Sequence, residues 1–303
     1  MKKILITGGS GLLAINWALF VRRRYQVTLL LHRRKITIPG VETDVATLNS
    51  LKECKSVLEK HRPDVVIHTA GLTNVEECES NANLAKLINV DLAKNIAKAC
   101  NQVGAKLIHI STDHLFSGNQ QYSTEESVTN PINNYAKTKL LGEQQVLENC
   151  KDVLIVRTNF FAWGTEYRQS FSDFILDKLK HNEQVDLFSD VFFTPILVDE
   201  LSKRTHQLID SNAVGVFNIV SSERISKHKF GIKLANCFNL DATLINKVSI
   251  NNKPNLVKRP VDMSLSNAKL RRTLNCEVSS LDEQLYVLKQ MENNVLSQVT
   301  FQN

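Results

Sequence analysis

The chain has 303 residues, and 37 lysines and arginines against 31 aspartates and glutamates give it a formal net charge of +6. This length fits one large or two modest domains, and the mild positive surplus, which forms no basic block, does not indicate nucleic-acid binding. No run of about 18 apolar residues occurs, so we expect no membrane span and a cytoplasmic location. The six cysteines are far apart and form no Cys-x-x-Cys pair, which predicts reduced thiols and no metal site.

The first predicted elements are a strand, a glycine turn and a helix. The apolar run from Lys3 to Thr7 leads directly into Gly8-Gly9-Ser10-Gly11-Leu12-Leu13-Ala14, after which apolar residues recur at helical spacing. In this context Gly8 allows a sharp turn, and Gly11 removes a side chain where a pyrophosphate would approach the backbone. The helix N-terminus would then face phosphate. We predict a dinucleotide site that includes Gly8, Gly11, Leu12 and Leu13.

The second predicted strand, Gln26 to Leu31, ends in the basic run His32-Arg33-Arg34-Lys35. A fold selective for NADH would place an acidic residue here for the ribose hydroxyls, whereas cations match a 2′-phosphate. Arg33 and Arg34 therefore favour NADPH, with NADH as the alternative cofactor; a solvated basic turn would also explain these residues. Asp44 and Val45, at the end of a third predicted strand, are assigned to the adenine.

Strands and helices continue to alternate as far as Ser111. A helical pattern from Asn49 to His61 precedes the strand from Asp64 to His68. This strand ends in Ala70 and Gly71, whose small size would let the backbone lie against the nicotinamide side of a dinucleotide. A second long helix follows, with Asn89 near its start. This alternation predicts a doubly wound parallel sheet.

The stretch from Lys106 to Gly142 carries the residues with catalytic chemistry. A buried strand ending at Ile110 leads into Ser111-Thr112-Asp113, and polar side chains at such a strand tip face the ligand crevice. Tyr135 and Lys139 lie one turn apart on a later predicted helix, so the ammonium could lower the pKa of the phenol. With Thr112 bonding the same substrate oxygen, the set suits a carbonyl that gains or loses a hydride. A surface tyrosine–lysine pair is the alternative.

The second half of the chain is predicted to complete the sheet and to build a smaller domain. A strand, Val153 to Arg157, is followed by an aromatic loop that begins with Asn159 and Phe160, and Arg259 in a late loop could clamp a diphosphate. We assign residues 1–160, rejoined by about 190–222, to an NADP-binding Rossmann domain, and residues 161–189 and 223–290 to an interleaved substrate domain. Residues 291–303 are expected to form a fraying polar tail.

Three motifs resemble those of the extended short-chain dehydrogenases/reductases: Thr7 to Ala14, Ser111-Thr112-Asp113, and Tyr135-Ala136-Lys137-Thr138-Lys139. More narrowly, the segments from Ser111 to Gly118, Arg157 to Phe160 and Lys258 to Leu265 resemble the dTDP-4-dehydrorhamnose reductase branch. The likeness covers roughly Lys3 to Leu270. Three residues depart from the pattern of the branch: His68 stands where asparagine is usual, His114 where tyrosine is common, and Phe160 where tryptophan often occurs.

This resemblance implies a Rossmann-type α/β fold with a smaller interleaved α/β substrate domain. It also implies that Thr112, Tyr135 and Lys139 are the catalytic set for hydride transfer from NADPH to a 4-keto-6-deoxysugar linked to a nucleotide. Tyr135 would protonate the alkoxide, while Lys139 would lower the pKa of Tyr135 and hold the nicotinamide ribose. Asn89 and Ser111 are added to the cofactor contacts. The implied substrate contacts are Thr73, Thr112, Asp113, Asn159, Phe160 and Arg259.

Two other functions fit the same residues. One is another nucleotide-sugar reductase or an epimerase of this fold. The other is a non-catalytic NADP-binding subunit, because the regulatory subunit of methionine adenosyltransferase is similar to this branch. Retention of Thr112, Tyr135 and Lys139 favours turnover over a purely regulatory role. A homodimer, the nucleotide and the sugar are left open by the sequence.

Overall fold

The computed structural model describes residues 1–165, 167–292 and 296–302. Strands are numbered in chain order as β1 (Lys3–Thr7), β2 (Gln26–Leu31), β3 (Lys35–Thr37), β4 (Glu42–Val45), β5 (Val65–His68), β6 (Lys106–Ile110), β7 (Val153–Arg157), β8 (Phe160–Phe161), β9 (Val185–Phe188), β10 (Phe192–Phe193), β11 (Ile196–Leu197), β12 (Gly215–Asn218), β13 (Ile225–Ser226), β14 (Ile245–Val248) and β15 (Thr300–Gln302).

The α-helices are α1 (Leu12–Val21), α2 (Leu51–His61), α3 (Val75–Ser80), α4 (Ala82–Lys86), α5 (Leu92–Val103), α6 (Asn134–Asn149), α7 (Phe171–Lys180), α8 (Val198–Asp210), α9 (Lys227–Phe238), α10 (Ala268–Leu274) and α11 (Leu281–Gln290). A π-helical turn, Leu87–Asp91, joins α4 to α5. Short 3₁₀ turns occupy Ala242–Leu244, Ile250–Asn252 and Leu296–Gln298. None of the described helices is long and apolar enough to cross a membrane.

A seven-stranded parallel sheet forms the centre of the molecule, in the order β12-β7-β6-β5-β1-β2-β4. β1 pairs with β2 on one side and with β5 on the other, so the strand order reverses at β1. Ligands of such sheets bind in the crevice at the carboxyl ends of the strands, beside this reversal. The predicted doubly wound α/β fold is therefore confirmed, and the crevice lies where Gly8, Ala70 and Ser111 follow their strands.

Two large apolar clusters hold the elements around this crevice. The first joins the sheet to α1 and α8, and its fully buried members include Trp17 and Leu201. The second combines residues from Phe161 to Leu197 with residues from Ile225 to Leu288, and it packs α7, α9 and α11 together. Since burial of one large apolar side chain contributes roughly 1.5–3 kcal/mol, each cluster can hold its own elements in place.

The strand pairing shows where the second half meets the central sheet. Within the segment of about 190–222, β12 joins the sheet, whereas β10 pairs with β13 and β11 pairs with β8 in separate two-stranded ladders. The expected fraying of the tail is wrong for residues 296–302, because β15 pairs antiparallel with β3 and Val299 is buried. All six cysteines are free thiols, as predicted.

Candidate active site

The glycine turn between β1 and α1 leaves room for a ligand at the backbone. Gly8 has a φ of +67°, and a Cβ there would lie 2.9 Å from the Cα of Ala70, so a side chain is excluded. The Gly11 N–H donates to the Gly8 carbonyl at 2.8 Å. Gly11 is the N-cap of α1 and offers no side-chain cap, so the N–H groups that open the helix at Leu12 and Leu13 point to a phosphate position.

A cavity of about 220 Å³ lies beside this turn. Its walls are mainly apolar and suit the adenosine end of a dinucleotide. Gly8 and Ala70, both predicted, contribute to it. Most of its other residues were missed, because they are spread over the end of β2, the loops after β2 and β4, the turn before α5 and the start of α5. They are Leu30, Leu31, His32, Ala46, Leu48, Asn49, Leu87, Ile88, Asp91, Leu92 and Asn95.

In the structure Asp44 pairs with two basic side chains of α2. Its carboxylate is held by Lys60 Nζ and His61 Nε2, each at 2.7 Å. The hydrogen bond from Lys60 lowers the pKa of Asp44. Val45 is exposed, and neither residue lines the cavity. Ala46 and Leu48, the next residues of the loop, do line it, and the adenine contact assigned to Asp44 and Val45 stays a prediction.

Arg33 and Arg34 are exposed at the end of β2. The Arg34 guanidinium lies 4.2 Å from the centre of the Tyr167 ring, and the Tyr167 hydroxyl donates to the carbonyl of Ser10. Tyr167 thus anchors Arg34 next to the glycine turn, which is a suitable place for a 2′-phosphate. Sequence spacing offers no signal for this tyrosine, since it is more than a hundred residues from either partner.

Thr112, Tyr135 and Lys139 are brought together at the carboxyl end of β6. All three are buried. The Thr112 side chain lies close enough to the Tyr135 phenol to lower its pKa, and Lys139 Nζ donates to the carbonyl of Ile110 at 2.7 Å. Ser111 lies beside them, and its buried hydroxyl has no partner among the described residues, so it can bond to a ligand.

The pKa values of this group differ from the expectation. Burial raises the pKa of Tyr135, opposed by the hydrogen bond from Thr112 and by the charge of Arg168. Lys139 is not among the leading causes of the shift, and its lowering of the Tyr135 pKa stays a prediction. Burial lowers the pKa of Lys139 to about 8, opposed by the charge of Glu143. At neutral pH Tyr135 therefore keeps its proton and can donate it.

Asn89 holds the loop that follows β5. Its side-chain oxygen accepts from the Leu72 N–H at 2.8 Å, and its amide donates to the Leu72 carbonyl at 3.0 Å and to Thr138 Oγ1 at 3.1 Å. Thr138 lies on α6 between Tyr135 and Lys139. Asn89 thus joins α6 to the loop carrying Gly71, and the cofactor contact assigned to it stays a prediction.

Asp113 organises the other side of the crevice. One carboxylate oxygen accepts from Asn159 Nδ2 at 2.6 Å, and the other accepts from the Thr112 hydroxyl at 3.3 Å. The His114 ring meets the Tyr135 ring edge-on, with 5.4 Å between the centroids. Phe160 is placed elsewhere: it packs in β8 against the core of the sheet.

Two arginines reach across to the segment before and within α3. Arg259 pairs with Glu76, and Arg168 donates to Thr73 Oγ1 at 2.5 Å. Thr73 is exposed at this rim. Arg168 was missed by sequence reasoning, although its charge influences Tyr135. The predicted substrate residues Thr73 and Arg259 therefore lie on the rim, whereas Thr112, Asp113 and Asn159 lie deeper.

A doubly wound parallel sheet, a glycine turn at its reversal point and a Thr–Tyr–Lys group after β6 define an extended short-chain dehydrogenase/reductase. The family model for the RmlD substrate binding domain matches residues 1–293, and the chain belongs to this family.

Relatives and solved structures agree with this membership. The probable low-salt glycan biosynthesis reductase Agl14 of Haloferax volcanii is 28% identical over 94% of this chain and 96% of its own. The dTDP-4-dehydrorhamnose reductase of Shigella flexneri is 31% identical over 71% of this chain and 75% of its own. The crystal structure of dTDP-4-dehydrorhamnose reductase from Bacillus anthracis in complex with NADP superposes with a TM-score of 0.83, at 25% identity over 96% of this chain and 99% of that one.

A relative with a different description also matches. The methionine adenosyltransferase 2 subunit beta of Xenopus laevis is 28% identical over 89% of this chain and 82% of its own length.

Proposed function

We propose that the protein is an NADPH-dependent reductase of a nucleotide-linked 4-keto-6-deoxysugar, with dTDP-4-dehydrorhamnose as the substrate, and that it serves the synthesis of surface-glycan precursors. The observation that carries this proposal is the buried convergence of Thr112, Tyr135 and Lys139 beside a glycine turn that excludes side chains. The dTDP-4-dehydrorhamnose reductases and the glycan reductase among the relatives support the choice of substrate.

The residues present fit the cofactor. The turn at Gly8 and Gly11 leaves the backbone open to a pyrophosphate, Arg33 and Arg34 supply cations for a 2′-phosphate, and the Ser111 hydroxyl is buried without a partner among the described residues. NADPH supplies the hydride when bound, and NADH is the weaker alternative. Lys139 would hold the nicotinamide ribose, since its ammonium retains donors beyond the one used by Ile110.

The remaining steps belong to the side chains around the carbonyl. Thr112 would turn its one hydroxyl proton from the Asp113 carboxylate to the sugar carbonyl and so orient it. As negative charge develops on that oxygen, Tyr135 gives up its phenolic proton to it. Because burial raises the pKa of Tyr135, the proton is present at neutral pH before the reaction begins. Asp113 and Asn159 position the Thr112 side chain and the sugar hydroxyls.

Different parts of the chain would bind the substrate and the cofactor. We assign residues 1–160, rejoined by 190–222, to the cofactor domain and residues 161–189 and 223–290 to the substrate domain. The separate apolar cluster formed by the segments from Phe161 to Leu197 and from Ile225 to Leu288 supports this division. We further propose a cytoplasmic location, where free thiols persist, and a homodimer as the assembly to be tested by size in solution.

The test is reduction of the ketosugar. Mixing the protein with NADPH and dTDP-4-dehydrorhamnose should lower the near-ultraviolet absorbance of the reduced nicotinamide. Replacing the acid in Tyr135→Phe should lower kcat by about 10²- to 10⁴-fold, whereas NADPH should bind within about threefold of its original affinity because the ring is kept. Ketosugar reduction by Tyr135→Phe at the original rate would show that another group is the acid.

A regulatory subunit is the second candidate, because methionine adenosyltransferase 2 subunit beta is a relative over 89% of this chain. It predicts a stoichiometric protein partner and no oxidation of NADPH with any nucleotide ketosugar. A panel of such sugars, assayed with the isolated protein, distinguishes the proposed dTDP-4-dehydrorhamnose reductase from a regulatory subunit and from a reductase of another nucleotide sugar.

A further inference from the structure

We propose that Lys227 is a substrate-binding residue, and that it contacts the phosphate nearest the sugar in the nucleotide diphosphate; this inference rests on the proposed function and names a subsite within it. Arg259 would contact the other phosphate from the rim. The two cations come from distant parts of the chain, at the start of α9 and in the loop before α10.

The described residues around Lys227 provide neither a hydrogen-bond acceptor nor an ion-pair partner for its ammonium. Its Nζ lies 3.3 Å from the centre of the Phe193 ring and 4.7 Å from that of Phe171. Among the residues that the structure describes, no carboxylate pairs with this ammonium and no oxygen accepts a hydrogen bond from it. The aromatic faces favour a cation but leave its donors unused.

The position is also unfavourable for a cation in the free protein. Lys227 is the first residue of α9, whose N-terminus carries partial positive charge, and Ser226 already caps the Lys229 N–H. Burial and the nearby charge of Arg259 lower the pKa of Lys227 to about 8, opposed by Asp113. A cation held at a helix N-terminus, near a second cation and without an acceptor, is an arrangement that an anionic ligand would relieve.

The electrostatic neighbours place Lys227 at the sugar end of the crevice. Lys227 and Arg259 both lower the pKa of His114, whose ring touches Tyr135. Asp113, the residue next to Thr112, raises the pKa of Lys227 and therefore lies near it. A sugar with its carbonyl at Tyr135 would therefore have its diphosphate close to Lys227. The cofactor pyrophosphate belongs to the glycine turn at Gly8, on another part of the crevice, so it does not explain this cation.

The experiment compares three variants: Lys227→Met removes the charge, Lys227→Arg keeps it, and Lys229→Met is the matched control, since it makes the same change on the exposed side of the same helical turn. Calorimetry would measure the affinities for dTDP, dTMP and NADPH. We expect Lys227→Met to weaken dTDP about 10- to 100-fold and to leave dTMP and NADPH within about threefold, because neither ligand presents a phosphate to this site.

The other two variants should bind dTDP nearly as well as the original protein. Thermal stability supplies an independent readout. Because Lys227→Met removes an unfavourably placed cation, its melting temperature in the absence of ligands should equal or exceed that of the original protein. A purely structural lysine would instead lower the melting temperature when replaced and leave the dTDP affinity unchanged.

Unchanged dTDP affinity in Lys227→Met would overturn the subsite, and so would failure of the unmodified protein to bind dTDP. An equal loss of affinity for dTMP, dTDP and NADPH would also overturn it, since that pattern signals a general defect. The proposed function fails separately: dTDP binding that depends on Lys227, without oxidation of NADPH by the ketosugar, would retain the subsite and reject the reductase.

Discussion

Lys139 and Lys227 are the two lysines of the site whose pKa values burial lowers to about 8. Below pH 8 both are ammonium groups, and we have proposed that Lys139 binds the cofactor ribose and Lys227 the substrate phosphate. As the pH rises through 8 each loses its proton and its charge. We therefore expect kcat/KM for the ketosugar to fall above about pH 8, by roughly tenfold per pH unit for each group.

The variant Lys227→Arg separates the two contributions, because its guanidinium keeps its charge up to pH 12 or about that value. In this variant the fall above pH 8 should be shallower and reflect Lys139 alone. A pH profile that stays level to about pH 10 in the unmodified enzyme would contradict both assignments.

Single residues could be predicted where the chemistry is local. Tyr135 and Lys139 are one helical turn apart, so their proximity follows from spacing. Their pKa values do not, because the burial of Tyr135 comes from elements far away in the chain. Asp44 shows the same contrast. Its position at the end of β4 follows from the local sequence, whereas its bonds to Lys60 and His61 depend on how α2 packs.

At the scale of elements, α6 depends on a glycine at its contact with the π-helical turn. A Cβ on Gly142 would clash with the backbone carbonyl of Asn89, which cannot rotate away. Gly142→Ala should lower the free energy of unfolding by about 1–3 kcal/mol and should reduce kcat, because α6 carries Tyr135 and Lys139. Urea unfolding and steady-state kinetics measure these two effects.

Gly231 in α9 provides the control, since a Cβ there would meet the end of the Leu187 side chain, which can move. Gly231→Ala should therefore have a smaller effect on stability than Gly142→Ala and should leave kcat unchanged. The reverse order of the two stability losses would show that the contact between α6 and Asn89 is not close.

The longer elements were predictable because apolar runs and helical periodicity are properties of the local chain. The strands β1, β2, β6 and β7 begin and end where predicted. Pairs such as β8 with β11 were not predicted, since a two-residue strand shows no local periodicity and is defined only by its hydrogen bonds to a partner strand. The π-helical turn before α5 was likewise missed, because its pattern merges with that of the helix.

At the scale of the whole molecule, acid should destabilise the fold through buried neutral histidines. His206 on α8 accepts a hydrogen bond from Trp17 Nε1 on α1 at 3.1 Å, and burial lowers its pKa to about 4. Below its ordinary pKa of 6.5 the unfolded chain gains a proton that the folded chain does not take up. His206 should thus lower the free energy of unfolding by about 2 kcal/mol between pH 7 and pH 5.

Urea unfolding at the two pH values measures this loss. In His206→Gln, which keeps an acceptor for Trp17, the difference between pH 7 and pH 5 should shrink by about the same 2 kcal/mol. The remaining difference belongs to other groups, including the buried pair His68 and His109. Identical pH dependence in the variant and the original protein would exclude His206 as a source.

The overall topology followed from the alternation of elements and from the three motifs, which place the glycine turn, Thr112 and Tyr135 around one sheet. The pairing of β15 with β3 could not be predicted, because a polar segment near residue 300 gives no local signal for the distant strand it joins. Lys227 was missed for a related reason: its neighbours Asp113 and Arg259 are far from it in sequence.

The Asn16 amide group donates both to the Leu12 carbonyl of α1 and to the carbonyl of Trp163, each at 2.9 Å. One side chain thereby ties the helix that would receive the coenzyme to the loop that leads into the sugar-binding half. A ligand that orders one of these two segments therefore lowers the entropic cost of ordering the other. Each of the two ligands, coenzyme and sugar nucleotide, should therefore raise the affinity of the protein for the other by the same factor, because the coupling between two binding equilibria is reciprocal.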